Sequence, residues 1–251
     1  MALARVELES LLRARRLDRT LTTAGPSGSG LAGARDPVYD VAATDAAALD
    51  ARLGGGFPRG QLSEIVGPRS SGRTSLALQM LAAATDRGEL VAYIDALDML
   101  DVASASAAGV DPTRLLWIRG HVVANPGMCR DLNQRALEQA VRAWALVLQA
   151  GNFGLVVFDV AEAPADAIRR LPFTTWLRVQ RMVEGSPTAC VLVGAQPMAR
   201  SSSGLTLQMQ SPHSRFGSRL FDGLTIDARV AQARRHSPHQ IDVRVPLSTT
   251  A

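Results

Sequence analysis

Short apolar runs alternate with longer amphipathic or alanine-rich stretches from Asp45 onward. The apolar runs predict strands at Leu62–Val66, Leu90–Asp95, Leu115–Ile118, Leu155–Asp159 and Ala189–Gly194. The stretches between them predict helices at Thr74–Ala84, at Asp131–Gln149 and near Asp166–Glu184. Strands that alternate with helices indicate an α/β fold, with a mostly parallel central sheet covered by helices on both faces. The last two runs, Leu224–Val230 and Gln240–Val245, predict a closing C-terminal antiparallel hairpin.

The N-terminal part of the chain has a different pattern. Leucine and valine recur at helical spacing in residues 1–19, which predicts an amphipathic helix. Residues 20–37 are rich in Gly, Ser, Thr and Ala and predict a flexible linker. Residues 38–247 then form the core domain. The helix is either an arm tethered to this core or a segment that folds back on it, and the sequence leaves both open.

Composition narrows the class of protein. The 251 residues are 47% hydrophobic, and no apolar run approaches the ~20 residues that a transmembrane helix needs. Cys129 and Cys190 lie far apart, which excludes a disulfide-rich scaffold and a cysteine-based zinc site, so we expect a cytoplasmic protein. All 27 basic residues are Arg, and the net charge of +4 is a modest indication of nucleic-acid binding.

One motif carries recognisable chemistry. Residues 67–74 read GPRSSGRT and match the phosphate-loop pattern G-x-x-x-x-G-K-[ST] at every position except Arg73. A predicted strand precedes it and a predicted helix follows, so backbone N–H groups and the start of the helix would face bound phosphates. The candidate residues for binding ATP or ADP are Gly67, Pro68, Arg69, Ser70, Ser71, Gly72, Arg73, Thr74 and Ser75. The alternative is a glycine turn without a ligand.

Arg73 stands where the pattern has lysine. A planar guanidinium is broader than an ammonium group and cannot occupy the same slot unless the loop or the phosphates move. The chain has no lysine at all, which weakens the inference that Arg was specifically selected but does not restore the geometry. We therefore expect weak nucleotide binding, with Mg²⁺ on the Thr74 hydroxyl only when nucleotide is bound, and little phosphoryl transfer.

The motif belongs to a longer resemblance. Residues 49–74, LDARLGGGFPRGQLSEIVGPRSSGRT, resemble the bacterial RecA recombinases, in which an LD…GG-x-P-x-G turn leads into a GPESSGKTT loop. The likeness continues through Ala92–Ala96, which reads AYIDA where RecA has AFIDA, and through Ala108–Asp111. It covers about residues 40–245 and is thin in the later part. The resemblance implies a RecA-like core with an ATP site.

Two positions depart from what the resemblance implies. The AFIDA strand of RecA leads to a Glu that activates the attacking water, and the matching residue here is Leu97, which cannot accept a proton. Asp159 matches the acidic residue that holds Mg²⁺, and Gln196 matches the glutamine that senses the γ-phosphate; the alternatives are a buried strand that ends in Asp and a surface Gln. Departures at both Arg73 and Leu97 indicate a pseudo-ATPase.

The resemblance also implies a DNA-binding segment. In RecA a loop after the sensor glutamine lines the filament axis, and it corresponds here to Pro197–Asp222. The segment has no acidic residue before Asp222 and predicts a mobile basic loop that contacts single-stranded DNA. Its candidate contacts are Arg200, Arg215, Phe216 and Arg219. The alternative is a surface loop whose charge is incidental.

The chain is also similar to the ImuA family of inducible-mutagenesis accessory proteins, which are short RecA-like proteins with eroded ATP motifs. That family acts in the SOS response and translesion DNA synthesis beside ImuB, an inactive relative of the Y-family polymerases. This likeness implies an ImuB-like partner, with RecA, single-stranded DNA and further copies of the chain as candidate partners and no membrane contact. Two alternatives stay open: a slow DNA-dependent ATPase of the RecA type, and a regulator that caps RecA filaments.

Overall fold

The computed structural model describes residues 41–120, 130–199, 204–210, 213–216, 221–233 and 242–247. The predicted helix at 1–19 and the predicted linker at 20–37 lie outside these residues, so both stay predictions. Within the described ranges, no helix combines the length and the apolar composition needed to cross a bilayer.

Helices and strands alternate along most of the described chain. The helices are Ala47–Leu53 (α1), Arg73–Asp86 (α2), Val102–Ala107 (α3), Arg130–Ala150 (α4), Ala165–Arg170 (α5) and Phe173–Val183 (α6), with a short 3-10 turn at Pro112–Arg114. The strands are Val41–Ala42 (β1), Phe57–Pro58 (β2), Gln61–Val66 (β3), Val91–Asp95 (β4), Leu115–Arg119 (β5), Leu155–Asp159 (β6), Ala189–Gly194 (β7), Leu205–Met209 (β8), His213–Phe216 (β9), Phe221–Ala233 (β10) and Asp242–Leu247 (β11).

The central sheet is mostly parallel, which confirms the predicted fold class. Its order is β11-β10-β8-β3-β7-β6-β4-β5, and the run from β8 to β5 is parallel. Strand β10 is antiparallel to β8, β9 and β11, so the predicted closing hairpin is confirmed. Because β3, β7, β6 and β4 run the same way, their carboxyl ends meet at one edge of the sheet.

Side chains of successive strand residues pack on opposite faces of the sheet. Tyr93 and Val157 belong to an apolar cluster with α1 and α2, whereas Ile94 and Phe158 belong to a second cluster with α4, α5 and α6. In the second cluster the Trp144 ring stacks on Phe158, with centroids 4.5 Å apart. Helices therefore cover both faces, as the alternating pattern predicts.

The predicted helix near Asp166–Glu184 is two helices. Leu171 has an extended ψ of 128° and separates α5 from α6. Pro172 follows it, and because a proline ring clashes with a helical conformation of the preceding residue, the first helix ends there. The break turns the chain before α6 packs on the sheet with Trp176 and Val179 buried.

The prediction of a loop throughout Pro197–Asp222 is wrong. Strand β8 lies inside this segment, parallel to β3, and strand β9 pairs with β10. Alternate residues Leu205, Leu207 and Met209 belong to the core, and burial of these three side chains outweighs the polar composition around them. The alternation of apolar and polar residues in β8 is a local strand signal, but the serine- and glycine-rich residues on either side favoured a loop.

Candidate functional site

The loop from residue 67 to residue 72 connects β3 to α2 through close backbone packing. A Cβ at Gly67 would lie 2.6 Å from the Met209 carbonyl oxygen and 2.7 Å from Ser71 Oγ, so a larger residue does not fit without displacement of the backbone. Ser70 and Gly72 have positive φ angles of 58° and 84°. Gly72 gives α2 no side-chain cap. The first N–H groups of the helix are therefore not occupied by a cap and can face a ligand.

A pocket of about 450 Å³ opens beside this loop, at the sheet edge where β4 and β6 end. Its loop wall is formed by Arg69, Ser70 and Thr74. Its strand-end wall is formed by Asp95, Leu97, Met99, Asp159, Val160, Ala161 and Glu162. Ligands of open α/β sheets bind at the carboxyl ends of the strands, so the pocket has the position that a nucleotide site requires.

Two polar groups, one in the loop and one at the start of α2, are buried without a partner among the described residues. Arg73 is only 5% exposed and its Nη1 makes no hydrogen bond, and Ser71 Oγ is in the same situation. Buried donors of this kind are costly unless an acceptor satisfies them. A phosphate oxygen is such an acceptor, so the residues present fit an anionic ligand in spite of the substitution of lysine by Arg73.

Glu162 lies on the strand-end wall and contacts two arginines of the loop. Its Oε2 accepts hydrogen bonds from Arg69 Nε at 2.8 Å and from Arg69 Nη2 at 2.5 Å. Its Oε1 lies 3.6 Å from Arg73 Nη2. The hydrogen bond with Glu162 holds the pKa of Arg69 above its usual value. Sequence reasoning did not single out Glu162, because Arg69 and Glu162 are 93 positions apart.

Asp159 is partly buried at the end of β6, and both its oxygens accept hydrogen bonds from the protein. The Tyr93 hydroxyl donates to Oδ2, and the Ala161 N–H donates to Oδ1 at 2.8 Å. Burial raises the pKa of Asp159, and the hydrogen bond from Tyr93 acts in the opposite direction. Burial and the nearby carboxylate raise the pKa of Tyr93 well above its ordinary value, so this hydroxyl remains a donor at neutral pH.

Thr74 and Asp159 line the same pocket, as their proposed shared role in Mg²⁺ binding requires. No group of three His, Cys, Asp or Glu side chains suitable for a metal occurs in the part of the chain that the structure describes. A cation at this pocket would therefore depend on phosphate oxygens and water for most of its ligands.

The other acidic residues near Leu97 are held by protein groups. Asp95 is buried and accepts hydrogen bonds from the backbone N–H groups of Met99 at 2.9 Å and Leu100 at 2.7 Å. Asp98 receives two hydrogen bonds of 2.7 Å from Arg119, which lower its pKa. Leu97 itself lines the pocket. The position at which the RecA resemblance implies a general base thus holds an apolar side chain.

Gln196 follows β7 and is exposed, and it is not among the residues that line the pocket. The segment after it is anchored by Glu64, a fully buried residue of β3. Glu64 Oε1 accepts hydrogen bonds from the N–H groups of Met198 at 2.7 Å and Ala199 at 2.8 Å. Glu64 therefore fixes this segment against the strand that leads into the loop, a role that the sequence did not reveal.

The remaining candidates are divided between the loop and the C-terminal segment. Pro68 and Ser75 are exposed on either side of the buried loop residues. Arg215 and Phe216 belong to strand β9, whereas Arg200 and Arg219 lie outside the described residues. Their contact with DNA stays a prediction.

Comparison with known proteins agrees with this architecture. The family model of the RecA N-terminal domain matches residues 29–165, more than half of the chain. Protein RecA of Acidothermus cellulolyticus is 41% identical over 131 residues, which are 52% of this chain and 34% of that relative. Protein RecA of Desulfotalea psychrophila is 39% identical over 124 residues, 49% of this chain and 31% of the relative. The matched part thus spans about a third of these relatives, and the family match includes the loop, Leu97 and Asp159 but ends before Gln196.

Proposed function

Since the chain belongs to the RecA N-terminal domain family, we propose that it is a RecA-like accessory protein of damage-induced mutagenesis. In this role it binds DNA and partner proteins and hydrolyses ATP weakly or not at all. The observation that carries the proposal is a contrast at the pocket. Ser71 and Arg73, which lie next to the lining residues in the chain, have buried donors that fit an anion. Within the pocket, Leu97 offers no base and the neighbouring acidic side chains are engaged by protein donors.

The nucleotide part of the proposal assigns ATP or ADP to the loop. Residues 67–75 would hold the phosphates through backbone N–H groups and Arg73, and Thr74 and Asp159 would hold Mg²⁺. When bound, Mg²⁺ supplies positive charge to the phosphate oxygens. The Tyr93 hydroxyl occupies one oxygen of Asp159 where RecA has phenylalanine in AFIDA, so we expect the metal to be held weakly.

The hydrolytic part rests on which groups can accept a proton. A water molecule in the pocket would need a free carboxylate within hydrogen-bond reach. Asp95 is occupied by backbone donors and Asp98 by Arg119. Leu97 cannot take over the task. Proper positioning of phosphates without a base supports nucleotide binding more than turnover.

The partners follow from the resemblance to the ImuA family. We assign an ImuB-like inactive Y-family polymerase as the principal partner, with RecA, single-stranded DNA and further copies of this chain as additional ones. Arg215 and Phe216 on β9 offer a basic and a stacking residue type for DNA. The length of chain shared with the RecA relatives, about a third of theirs, carries no information on these partners.

Three measurements test the proposal. Calorimetry with ATP and ADP in the presence of Mg²⁺ should detect weak binding that Arg73→Ala reduces further, and an ATPase assay with single-stranded DNA should give little turnover. Pull-down against an inactive Y-family polymerase and against RecA separates the accessory role from that of a filament-capping regulator. Rapid DNA-stimulated hydrolysis, or retention of RecA but not of the polymerase, contradicts the proposal.

A second candidate is a slow DNA-dependent ATPase. The observation in its favour is the Glu162 carboxylate, which lines the pocket and would be a base if it left Arg69 and Arg73. This candidate predicts that Glu162→Gln abolishes turnover per bound nucleotide. The accessory role predicts that turnover stays at its low level.

A further inference from the structure

The pocket contains an anion supplied by the protein itself. Glu162 extends from the strand-end wall to the loop, where one of its oxygens receives both Arg69 bonds and the other faces Arg73. The Arg69 side chain is 79% exposed and the Arg73 side chain is 5% exposed. A single carboxylate therefore links an exposed and a buried arginine of the same loop.

A carboxylate in this position resembles a phosphate in its chemistry. Guanidinium groups bind both through parallel N–H···O bonds, and each oxygen anion satisfies the same donors. The loop also presents the start of α2, which favours negative charge. Glu162 thus supplies part of the negative charge that a bound phosphate would otherwise supply.

Glu162 is hydrogen-bonded to Arg69 but not to Arg73. Both Arg69 bonds have hydrogen-bond lengths, but the 3.6 Å separation from Arg73 Nη2 is too long for one. Arg73 Nη1 has no acceptor among the residues that the structure describes. The buried arginine therefore retains capacity for a further anionic oxygen while Glu162 is in place. The Arg69 pair is solvent-exposed, and exposed pairs are readily broken.

We propose that Glu162 is a built-in competitor for the phosphate site, which must leave the two arginines before a nucleoside di- or triphosphate binds fully. This inference rests on the proposed function, because it assumes that the loop binds phosphate. It assigns the weakness of binding to Glu162 as well as to Arg73. Apparent affinity then equals the intrinsic affinity multiplied by the fraction of molecules in which the carboxylate has left.

Calorimetric titration of the full chain with inorganic pyrophosphate, and then with ADP, tests the competitor directly. Glu162→Gln keeps the size of the side chain and removes its charge, so we expect about tenfold tighter binding. A tenfold change corresponds to a wild type in which Glu162 contacts the arginines in roughly nine molecules of ten. Glu138→Gln is the matched control, because Glu138 is an exposed glutamate of α4 away from the pocket lining. It should bind both probes as the wild type does.

A second variant keeps the test informative if Glu162→Gln folds poorly. Glu162→Asp retains the charge but shortens the side chain, so its affinity should fall between those of the wild type and Glu162→Gln. Thermal unfolding gives an independent readout. Without ligand, Glu162→Gln should have a lower Tm, because Arg73 loses its nearest anion, and pyrophosphate should raise its Tm more than that of the wild type.

The possible failures are distinguishable. Equal or weaker pyrophosphate binding by folded Glu162→Gln overturns the competitor while leaving the phosphate site in place. Absence of binding to both probes in every variant overturns the phosphate site and the competitor together. Tighter binding by Glu162→Gln combined with fast ATP hydrolysis by the wild type supports the competitor and contradicts the accessory role with weak ATPase.

Discussion

The two walls of the pocket differ in what they leave free. The loop wall continues into a segment in which Gly67 tolerates no Cβ and buried Arg73 has an unpartnered nitrogen in the described structure. On the strand-end wall, the acidic side chains are engaged by the protein. Their partners are backbone N–H groups for Asp95, Tyr93 and Ala161 for Asp159, and Arg69 for Glu162. The loop side thus retains buried donors without an acceptor in the described structure, although Glu162 holds Arg69, whereas the acidic side chains of the strand-end wall are engaged by protein donors.

Under the proposed function, this difference means that phosphate binding and phosphate hydrolysis would depend on separable parts of the fold. Binding uses backbone geometry and positive charge from one segment between β3 and α2. Hydrolysis also needs a base and a metal-holding carboxylate from the ends of two other strands. We therefore expect substitutions at Leu97 and Tyr93 to affect hydrolysis without changing the shape of the loop.

The largest effect is expected at the loop. Gly67→Ala would place a Cβ 2.6 Å from the Met209 carbonyl oxygen, so backbone must move, and we expect a loss of about 3 kcal/mol of unfolding free energy in urea. Gly185→Ala is the control. Its φ of 73° makes alanine strained but nothing lies within 4 Å, so it should cost only about 1 kcal/mol. Equal losses would mean that the loop is not closely packed.

The next largest effect tests whether ATP hydrolysis can be restored by returning the residue types of the RecA motifs. The combined variant Arg73→Lys, Leu97→Glu and Tyr93→Phe returns the residue types of the RecA motifs, and a positioned base contributes about 100-fold or more to turnover. We expect DNA-stimulated ATP hydrolysis to rise by about 100-fold, equivalent to roughly 2.7 kcal/mol of barrier. The same variant with Leu97→Gln instead of Leu97→Glu lacks only the base. If both rise equally, hydrolysis does not depend on position 97.

Much of this fold could be predicted from the sequence because its central strands are buried on both faces. The run Ala189–Gly194 has no charged or polar side chain, the run Leu155–Asp159 is apolar up to its final Asp, and the structure gives β7 and β6 the same bounds. Strand β8 was missed although Leu205, Leu207 and Met209 alternate with polar residues, the pattern of a half-buried strand, because the serine- and glycine-rich residues around it favoured a loop. Its neighbours in the sheet, β3 and β10, are not visible from local composition.

The candidate site shows the same limit. The motif brought Arg69, Thr74 and Asp159 to attention, and the structure places all three on one pocket. Glu162 was missed because its meaning depends on an arginine 93 positions away. Tyr93 differs from the RecA phenylalanine by one hydroxyl, and only the adjacent strand shows that this hydroxyl binds Asp159. Pairwise contacts across the sheet edge carry no local sequence signal.

A smaller loss of stability is expected for Asp95→Asn in β4, and this variant tests whether Asp95 supports the fold or the bound ligand. Asp95→Asn replaces a carboxylate that accepts two backbone N–H bonds by an amide whose NH₂ group cannot accept, which costs about 1–3 kcal/mol. Relief of the repulsion between Asp95 and Asp159 offsets part of this, so we expect about 1.5 kcal/mol in urea unfolding. Pyrophosphate affinity should change little. A stable variant that loses affinity would show that Asp95 serves the ligand.

The smallest effect concerns Asp98, the carboxylate that follows Leu97 in the sequence. Arg119 lowers the pKa of Asp98 below its usual 3.8, so the folded state gains stability from this group above that pH. The gain is lost as the pH falls through the lower pKa of the folded state. Thermal unfolding should therefore show Asp98→Asn slightly less stable than the wild type at neutral pH and equal to it in strong acid. Asp86→Asn, at an exposed position on α2, controls for net charge.

Residual ATP turnover should be unchanged in Asp98→Asn, because two hydrogen bonds from Arg119 keep the carboxylate from acting as a base. A fall in turnover would mean that Asp98 leaves Arg119 to act as base, and that the strand-end wall still performs chemistry.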